Sequence, residues 1–355
     1  MFTLGQNKSF GIDIGTQTIK IVEVSHNLNK FSIDNYSIWD DDLDSVIQQK
    51  DSDVALAPQK ITDIIKAMTA RSGMRMSNAY IALPSYLALF AIIQVPILEE
   101  KEFLSAVPLE AKKHIPVPLS SVQLDWINLG KNKLQDQYNI LIIAVPNTVA
   151  NRYLEVTKAL NIKVKGFELD CFSILRSIDL PKENTCIIDI GARNSTVIVV
   201  DADKKLQTIQ SFDFGGNQIT ESIKQMRGCS ILEAENLKKE NGVNNKDPKI
   251  AELIQSKINS FIVKDVIRLL GNVKEIMDID INSVVILGGT SKMTGVRDYI
   301  GSIFKNQFNN TNMNISIASP ISNLSVKGLD NDDLKVDIWQ DLILSIGVAL
   351  KKYIE

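Results

Sequence analysis

The sequence predicts an α/β protein built from two related halves, and two segments carry this prediction. FGIDIGTQTIKIVEV, residues 10–24, places apolar runs on both sides of an Asp-Ile-Gly turn, and CIIDIGARNSTVIVV, residues 186–200, repeats the pattern. About half of the 355 residues separate Asp13 from Asp189, as a duplicated domain requires. Each segment is expected to form two β-strands joined by a glycine-containing turn. The alternative is a chance recurrence of three common residues.

Composition limits the class of protein further. Apolar residues make up 45% and charged residues 23% of the chain, as in globular proteins. The net charge of −3 gives no electrostatic reason to expect nucleic-acid binding. Three widely spaced cysteines predict a reducing compartment without a disulfide framework. With no secretory signal and no apolar run near the roughly 18 residues of a membrane span, we expect a cytoplasmic protein.

The first half is predicted to begin with a meander and to contain an insertion. After strands within residues 10–24 and 31–38, the pattern predicts a helix over 59–71, ended by Gly73, and a strand over 79–83. The pattern changes from residue 84, where a βαββα block is expected. Its elements are a strand over 84–95, a helix over 99–114, strands over 122–129 and 138–145, and a helix over 147–160. The main fold resumes over 163–178.

The second half is predicted to follow the same plan with more helix. Its expected elements are the hairpin 186–200, a strand, glycine turn and helix over 206–226, a helix over 230–242, a long helical region over 247–277, a strand, glycine turn and helix over 283–304, and a loop over 306–314. The last helix has one apolar face, formed by Trp339, Leu342, Ile343, Ile346, Leu350 and Tyr353. Its other face is also apolar, which favours a buried core helix over a membrane-surface anchor.

The two Asp-Ile-Gly turns are candidate phosphate and metal sites. An ionised carboxylate between apolar residues needs a partner, so Asp13 indicates a cation or polar ligand at the turn. The alternative without a ligand is a structural carboxylate that accepts hydrogen bonds from N–H groups of the turn. Such turns offer backbone N–H groups and hydroxyls to phosphate oxygens, while Asp13 and Asp189 hold a hydrated Mg²⁺. The remaining candidate residues at the turns are Gly15, Thr16, Gln17, Thr18 and Lys20 in the first and Gly191, Ala192, Arg193, Asn194 and Ser195 in the second.

Three further segments of the second half carry candidate nucleotide contacts. Gly215 and Gly216 would let a ligand approach the backbone closely, although most Gly-Gly pairs are only turns. Glu235, Lys238 and Lys239 share a helix face that could reach ribose hydroxyls or could be solvated surface. LGGTSKMTG leaves a strand and opens a helix, a position suited to nucleotide contact. Its candidate residues are Gly288, Gly289, Thr290 and Lys292.

In this order, the motifs resemble those of the actin-like ATPase superfamily and, more closely, the PilM family of type IV pilus assembly proteins. FGIDIGTQTIKIVEV is similar to the phosphate 1 motif, IIDIGARNSTVIVV to phosphate 2, VVILGGTSKMTGV to the adenosine motif and LEAENLKKENG to the ribose helix. LEAKKHIPVPLSSVQLDW and FDFGGNQITESI are the PilM-like segments. The resemblance covers nearly the whole chain.

The resemblance implies an actin-like ATPase fold, with two lobes of duplicated βββαβα (ribonuclease H-like) domains and an inserted subdomain of the PilM and FtsA type. Its implied subdomains are 1A (residues 1–83, 163–180 and 338–355), 1C (84–162), 2A (181–215 and 279–337) and 2B (216–278). ATP and Mg²⁺ would lie between the lobes, with Asp13 and Asp189 orienting the waters of the metal and of any hydrolysis.

The resemblance also implies a partner and a place in the cell. A groove by the inserted subdomain would take the cytoplasmic N-terminal peptide of a PilN-like inner-membrane protein. The chain would then be a cytoplasmic component of the type IV pilus or a related secretion platform, peripheral to the inner membrane, in contact with other platform components and able to form homo-oligomers. Weak ATPase activity or none is expected.

The sequence departs from the family pattern at two residues, and two other functions are alternatives to a pilus assembly protein. Thr290 stands at the third glycine of the adenosine loop, and Arg193 stands where a small residue is usual, either to contact phosphate or to block it.

A sugar kinase needs a carboxylate base at a substrate hydroxyl, and no further Asp has an obvious claim to that role. An FtsA-like division protein is expected to carry a membrane-targeting helix beyond the fold, whereas this sequence stops at Glu355.

Overall fold

A computed structural model describes residues 8–28, 30–40, 58–76, 78–97, 99–131, 136–243, 247–327 and 332–354. The chain divides into two compact units. The first unit contains Met1–Ser85, Asn151–Asp179 and Ala318–Glu355, and the second contains Tyr86–Ala150 and Leu180–Ile317. The finer division into four subdomains stays a prediction.

The strands and helices follow the alternating pattern of an α/β protein. The strands are β1 (Lys8–Ile14), β2 (Thr18–Asn27), β3 (Lys30–Asp40), β4 (Ala79–Leu83), β5 (Leu89–Pro96), β6 (Val122–Lys131), β7 (Gln137–Pro146), β8 (Val164–Leu169), β9 (Thr185–Ile190), β10 (Ser195–Val200), β11 (Leu206–Phe212), β12 (Ser283–Leu287), β13 (Asn314–Ile317) and β14 (Leu324–Val326). The helices are α1 (Pro58–Ser72), α2 (Glu100–Ala111), α3 (Asn147–Leu160), α4 (Asp170–Ser177), α5 (Gly216–Arg227), α6 (Ile231–Asn241), α7 (Pro248–Phe261), α8 (Arg268–Met277), α9 (Val296–Gln307) and α10 (Asp332–Ile354).

The two large sheets share an arrangement of five strands, to which the first sheet adds β14 at one edge. In the first unit the order is β14-β3-β2-β1-β4-β8, where β1 to β3 are antiparallel and β4 and β8 continue in parallel. In the second unit the order β11-β10-β9-β12-β13 repeats three antiparallel strands followed by two parallel ones. Strands β1 and β9 therefore correspond, and they carry Asp13 and Asp189. The predicted duplication is confirmed.

The predicted inserted block forms a small sheet of its own. Strands β5, β7 and β6 pair antiparallel in that order, and α2 packs on them around Val95, Val107 and Ile140. Ile92 and Leu129 also pack against the buried core of the five-stranded sheet. The βαββα pattern predicted for this block is confirmed.

Two predicted element bounds in the inserted block were wrong. The strand expected over 84–95 begins only at Leu89, because Ser85 donates from its amide and its hydroxyl to the Asp170 carboxylate and holds a 3-10 turn there. The helix expected to reach His114 ends at Ala111, whose carbonyl oxygen accepts from the amides of His114 and Ile115 at 2.9 Å. At Ser85, the contact with Asp170 replaces the strand that the pattern suggested.

Other differences lie in the second half and near the C-terminus. The helical region over 247–277 is interrupted by a π-helical turn at Ile262–Ile267. The loop expected over 306–314 is shorter, because α9 continues to Gln307 and β13 begins at Asn314. The short strands β13 and β14 were not predicted, and β14 pairs with β3 from the far end of the chain.

Helix α10 is part of the core of the first unit. It packs against α4, β1 and β2, and Leu342, Ile346 and Leu350 on it have no solvent exposure. The prediction of a buried core helix, as opposed to a membrane-surface anchor, is confirmed. No helix in the described part of the chain is both long and apolar enough to cross a bilayer.

Candidate functional site

The first Asp-Ile-Gly turn is a tight hairpin in the first unit. Strands β1 and β2 pair antiparallel, and the Gly15 amide donates to the Thr18 carbonyl oxygen at 2.9 Å. Thr16 and Gln17 are partly exposed at its tip. The strand register places Asp13 opposite Lys20. The carboxylate and the polar tip of the turn are thus only a few residues apart on one rigid hairpin.

Asp13 is a buried carboxylate whose partner is a lysine. Its side chain is 7% exposed, and Oδ2 lies 3.7 Å from the Lys20 Nζ. Burial raises the pKa of Asp13, and the Lys20 ammonium only partly opposes this shift. The alternative expectation was a carboxylate that accepts hydrogen bonds from N–H groups of the turn. Among the described residues, the cationic partner of Asp13 is instead Lys20, from the same hairpin.

The second turn is the counterpart of the first on the second unit. The Gly191 amide donates to the Asn194 carbonyl oxygen at 3.1 Å, and β9 holds Asp189 opposite Thr196. Asp189 is half-buried. On its other side, Gly288 has φ +87°, and a Cβ there would overlap the Asp189 carboxylate. Glycine is therefore required at 288 by backbone conformation and by the position of this carboxylate.

The start of α5 is joined to the second turn by backbone hydrogen bonds. The amides of Gly216 and Asn217 donate to the carbonyl oxygens of Gly191 (2.9 Å) and Ala192 (2.8 Å). A Cβ on Gly215 would lie 2.5 Å from the same Ala192 oxygen. The glycine at 215 is thus explained by contact within the chain, whereas the sequence suggested an approach by a ligand.

The predicted ribose helix contributes a buried charged cluster. Glu235 Oε2 lies 2.5 Å from the Lys238 Nζ and accepts from the Thr220 hydroxyl at 2.6 Å. Lys238 also donates to the Gly216 carbonyl oxygen at 3.2 Å, whereas Lys239 is 71% exposed. Burial opposes ionisation of Glu235, but the Lys238 ammonium and the Thr220 hydroxyl outweigh it and lower the pKa of the carboxyl.

Sequence reasoning did not identify Thr220 as a member of this cluster. Its position one helical turn after Gly216 on α5 was the available signal, since residues four apart share a helix face. Its hydroxyl also accepts from Lys238 at 2.8 Å. Thr220 therefore links α5 to α6 through a charged hydrogen-bond network.

The glycine-rich segment after β12 forms a 3-10 turn at Gly289–Lys292. Thr290 is buried at 6% exposure, Lys292 is exposed, and no atom lies within 4 Å of the place where a Cβ on Gly289 would be. The Thr290 Oγ1 and the Lys238 Nζ both lie 3.2 Å from the place of a Cβ on Gly216. The second unit thus brings the turn, the start of α5, the charged cluster and the glycine-rich segment together around Gly216.

The described residues around Gly216 offer polar side chains and glycines to a ligand. The described residues contain no group of three or more His, Cys, Asp or Glu side chains that could hold a metal ion. A Cβ on Gly289 would meet no described atom outside its own turn within 4 Å, and the polar ends of Lys238 and Thr290 and the Gly191 carbonyl oxygen all lie close to Gly216.

The duplicated sheets, each with a carboxylate at its first turn, define an actin-like ATPase fold. A solved PilM-PilN type IV pilus biogenesis complex matches with a TM-score of 0.79 and 20% identity, over 97% of this chain and 98% of that chain. The ethanolamine utilization protein EutJ from Carboxydothermus hydrogenoformans matches with a TM-score of 0.53 and 12% identity, over 98% and 91%. The family model of the type IV pilus assembly protein PilM matches residues 11–353, and the chain therefore belongs to this family.

Proposed function

We propose that this protein is a cytoplasmic, ATP-binding adaptor of the type IV pilus or a related secretion platform. It would bind the cytoplasmic N-terminal peptide of a PilN-like inner-membrane protein and so lie at the membrane surface. The family match over residues 11–353 is the observation that carries this proposal. The similarity to a PilM-PilN complex supports the choice of partner.

We assign a nucleotide to the residues around Gly216. Gly289 and Thr290 would contact the base, and Lys238 with its neighbours Glu235 and Lys239 would meet the ribose. The second turn would then face the phosphates. Mg²⁺, when bound, supplies charge neutralisation to the phosphates. Asp189 would order the waters of this ion, and we assign the same role to Asp13 in the first turn because the two halves repeat.

Asp13→Ala is expected to weaken Mg-ATP binding by about tenfold or more, since groups that position a bound metal typically contribute that much to its affinity. The protein should remain folded, because burial already disfavours the ionised Asp13. Isothermal titration calorimetry of Mg-ATP on both proteins measures the effect. Asp63→Ala, which removes an exposed carboxylate from α1, is the matched control and should bind like wild type. Equal affinities for wild type and Asp13→Ala would contradict the assignment.

We assign the peptide to the exposed apolar surface of the inserted block. Leu104 and Leu109 on α2 are each 70% exposed, and Ile97 and Val117, on either side of the helix, are about 40% exposed. The exposure of these four apolar residues on one small subdomain is what supports this assignment. An apolar peptide segment is the partner that such a surface suits.

Leu104→Lys combined with Leu109→Lys is expected to weaken binding of a PilN-type N-terminal peptide by about tenfold or more, because apolar anchors dominate such interfaces. Calorimetry with a synthetic peptide provides the measurement. Mg-ATP binding should be unchanged. Leu232→Lys is a matched control, since Leu232 is 60% exposed on α6 of the same unit. Peptide binding that the double variant leaves intact would place the partner elsewhere, and no peptide binding by wild type would contradict the adaptor role.

A further inference from the structure

The hairpin that joins β2 to β3 carries a leucine that is both strained and exposed. Leu28 has φ +46°, in the left-handed region, and is 90% exposed. Bulky side chains rarely adopt this backbone conformation, and glycine, asparagine or aspartate usually occupies it in short hairpin connections. Packing within the protein does not explain why a leucine is kept here. The strain therefore points to a contact that the side chain makes outside the chain.

This hairpin projects from one end of the six-stranded sheet. Strands β4 and β8 begin level with Phe10 on β1, because Ala79 pairs with both Phe10 and Val164. Phe10 lies opposite Glu23, and β2 continues past this level before it reaches Leu28. The leucine therefore protrudes at the end of the sheet that is opposite to the first Asp-Ile-Gly turn.

The last turn of α10 lies against the same hairpin. The centroid of the Tyr353 ring is 5.3 Å from that of the His26 ring, and the next residue, Ile354, is 49% exposed. The Lys352 Nζ donates to the carbonyl oxygen of the first residue of β1 at 2.9 Å. A second exposed apolar side chain and an ammonium group thus accompany Leu28 at this end of the first unit.

Four lysines, which we call the basic edge, give this end a positive charge. Lys30 begins β3, Lys163 and Lys165 lie at the start of β8, and Lys352 is on α10. The first three are exposed, and none of them forms an ion pair in the described part of the chain. Burial and then the nearby Lys165 ammonium lower the pKa of Lys352, so like charges lie close together here. Because the whole chain has a net charge of −3, this positive charge is a local feature.

We propose that this end of the first unit binds the surface of a bilayer that contains anionic phospholipids. Leu28 and Ile354 would enter the acyl boundary, and the basic edge would contact the headgroup phosphates. Apolar side chains next to lysines suit such a surface, because the ammonium groups stay at the level of the anionic headgroups. An acidic peptide would use the lysines but not a protruding leucine. Helix α10 itself stays in the core, and the inference does not depend on the nucleotide or the peptide proposed above.

Co-sedimentation of the full chain with vesicles tests this inference. Vesicles of equal parts phosphatidylcholine and phosphatidylglycerol should bind wild type, and pure phosphatidylcholine should not. Leu28→Asn should weaken binding by about tenfold or more, the factor expected for burying a leucine side chain. Asparagine tolerates a positive φ, so this variant should unfold at or above the wild-type temperature, which excludes misfolding as the cause. Leu232→Asn, on α6 of the second unit, is the matched control and should bind like wild type.

A charge reversal tests the basic edge separately. Lys163→Glu combined with Lys165→Glu should weaken binding to the anionic vesicles by about tenfold or more, and added salt should weaken wild-type binding as well. Lys249→Glu combined with Lys264→Glu makes the same charge change at exposed lysines of the second unit and should have no effect.

The outcomes decide between a bilayer and other partners. Wild type that does not bind the anionic vesicles would overturn the inference, and binding of polyglutamate instead would assign the basic edge to an acidic protein. Vesicle binding that Leu28→Asn leaves unchanged would mean electrostatic attraction alone and would overturn the insertion of the leucine. Each assay contains protein and vesicles or polyglutamate alone, so the proposed nucleotide and peptide sites stand or fall independently.

Discussion

Gly347→Ala is expected to lower the free energy of unfolding by about 3 kcal/mol or more, the upper range for overpacking a close contact. Gly347 lies on α10, and a Cβ there would overlap the backbone carbonyl of Ser173 on α4. A backbone carbonyl cannot rotate away as a side chain can, so the two helices must separate. The loss is a large fraction of the stability of a typical domain.

A second close contact of α10 bears on the candidate site. On another face of α10, a Cβ on Gly11 would overlap the Ser345 carbonyl oxygen. Gly11 lies on β1 two residues before Asp13, so α10 fixes the strand that carries this carboxylate. Gly11→Ala should therefore be as destabilising as Gly347→Ala.

Thermal unfolding followed by circular dichroism measures both variants. Gly271→Ala is the control, because Gly271 is exposed on α8 and no atom lies within 4 Å of the place where its Cβ would be. That change should stabilise the helix by about 0.5–1 kcal/mol. A Gly347→Ala protein that unfolds at the wild-type temperature would show that α10 and α4 can move apart at little cost.

The fold was predictable where residue patterns act locally. The Asp-Ile-Gly turns lie between apolar strands, and their repetition fixed the expectation of two similar sheets. The short turn also determines which residues pair across the first hairpin, so the contact of Asp13 with Lys20 could be predicted from the sequence. By contrast, β14 is three residues long and pairs with β3 across most of the chain, and no local pattern indicates such a partner.

The candidate site was less predictable because close packing and ligand binding leave similar signatures in a sequence. A glycine pair allows a backbone to approach another group, but the sequence does not say whether that group is a ligand or the protein itself. Gly215 contacts Ala192 of its own chain. Similarly, helical spacing places Lys238 and Lys239 on one face, yet only the structure shows that Lys238 is buried beside Glu235 while Lys239 is exposed.

Lys238→Met is expected to lower the free energy of unfolding at pH 8 by about 3 kcal/mol, the usual cost of removing one partner from a buried ion pair. Glu235 would keep the hydrogen bond from the Thr220 hydroxyl and the longer ion pair with Lys239. Chemical denaturation of both proteins measures the difference. The double variant Lys238→Met with Glu235→Gln should regain part of the stability, because it leaves no unpaired buried charge.

The pH dependence of that loss distinguishes a charge effect from a packing effect. In wild type the pKa of Glu235 is lowered, so the stability that this carboxylate provides is fully present above its unfolded pKa of about 4.5 and is lost only as the pH falls through the lower folded pKa. Without Lys238, burial is the largest influence left and should raise the folded pKa of Glu235. The variant then loses stability as the pH rises above about 4.5, because ionising the buried carboxyl becomes costly. The difference between the proteins should therefore be smaller at pH 5 than at pH 8, and an equal difference at both would assign Lys238 a packing role alone.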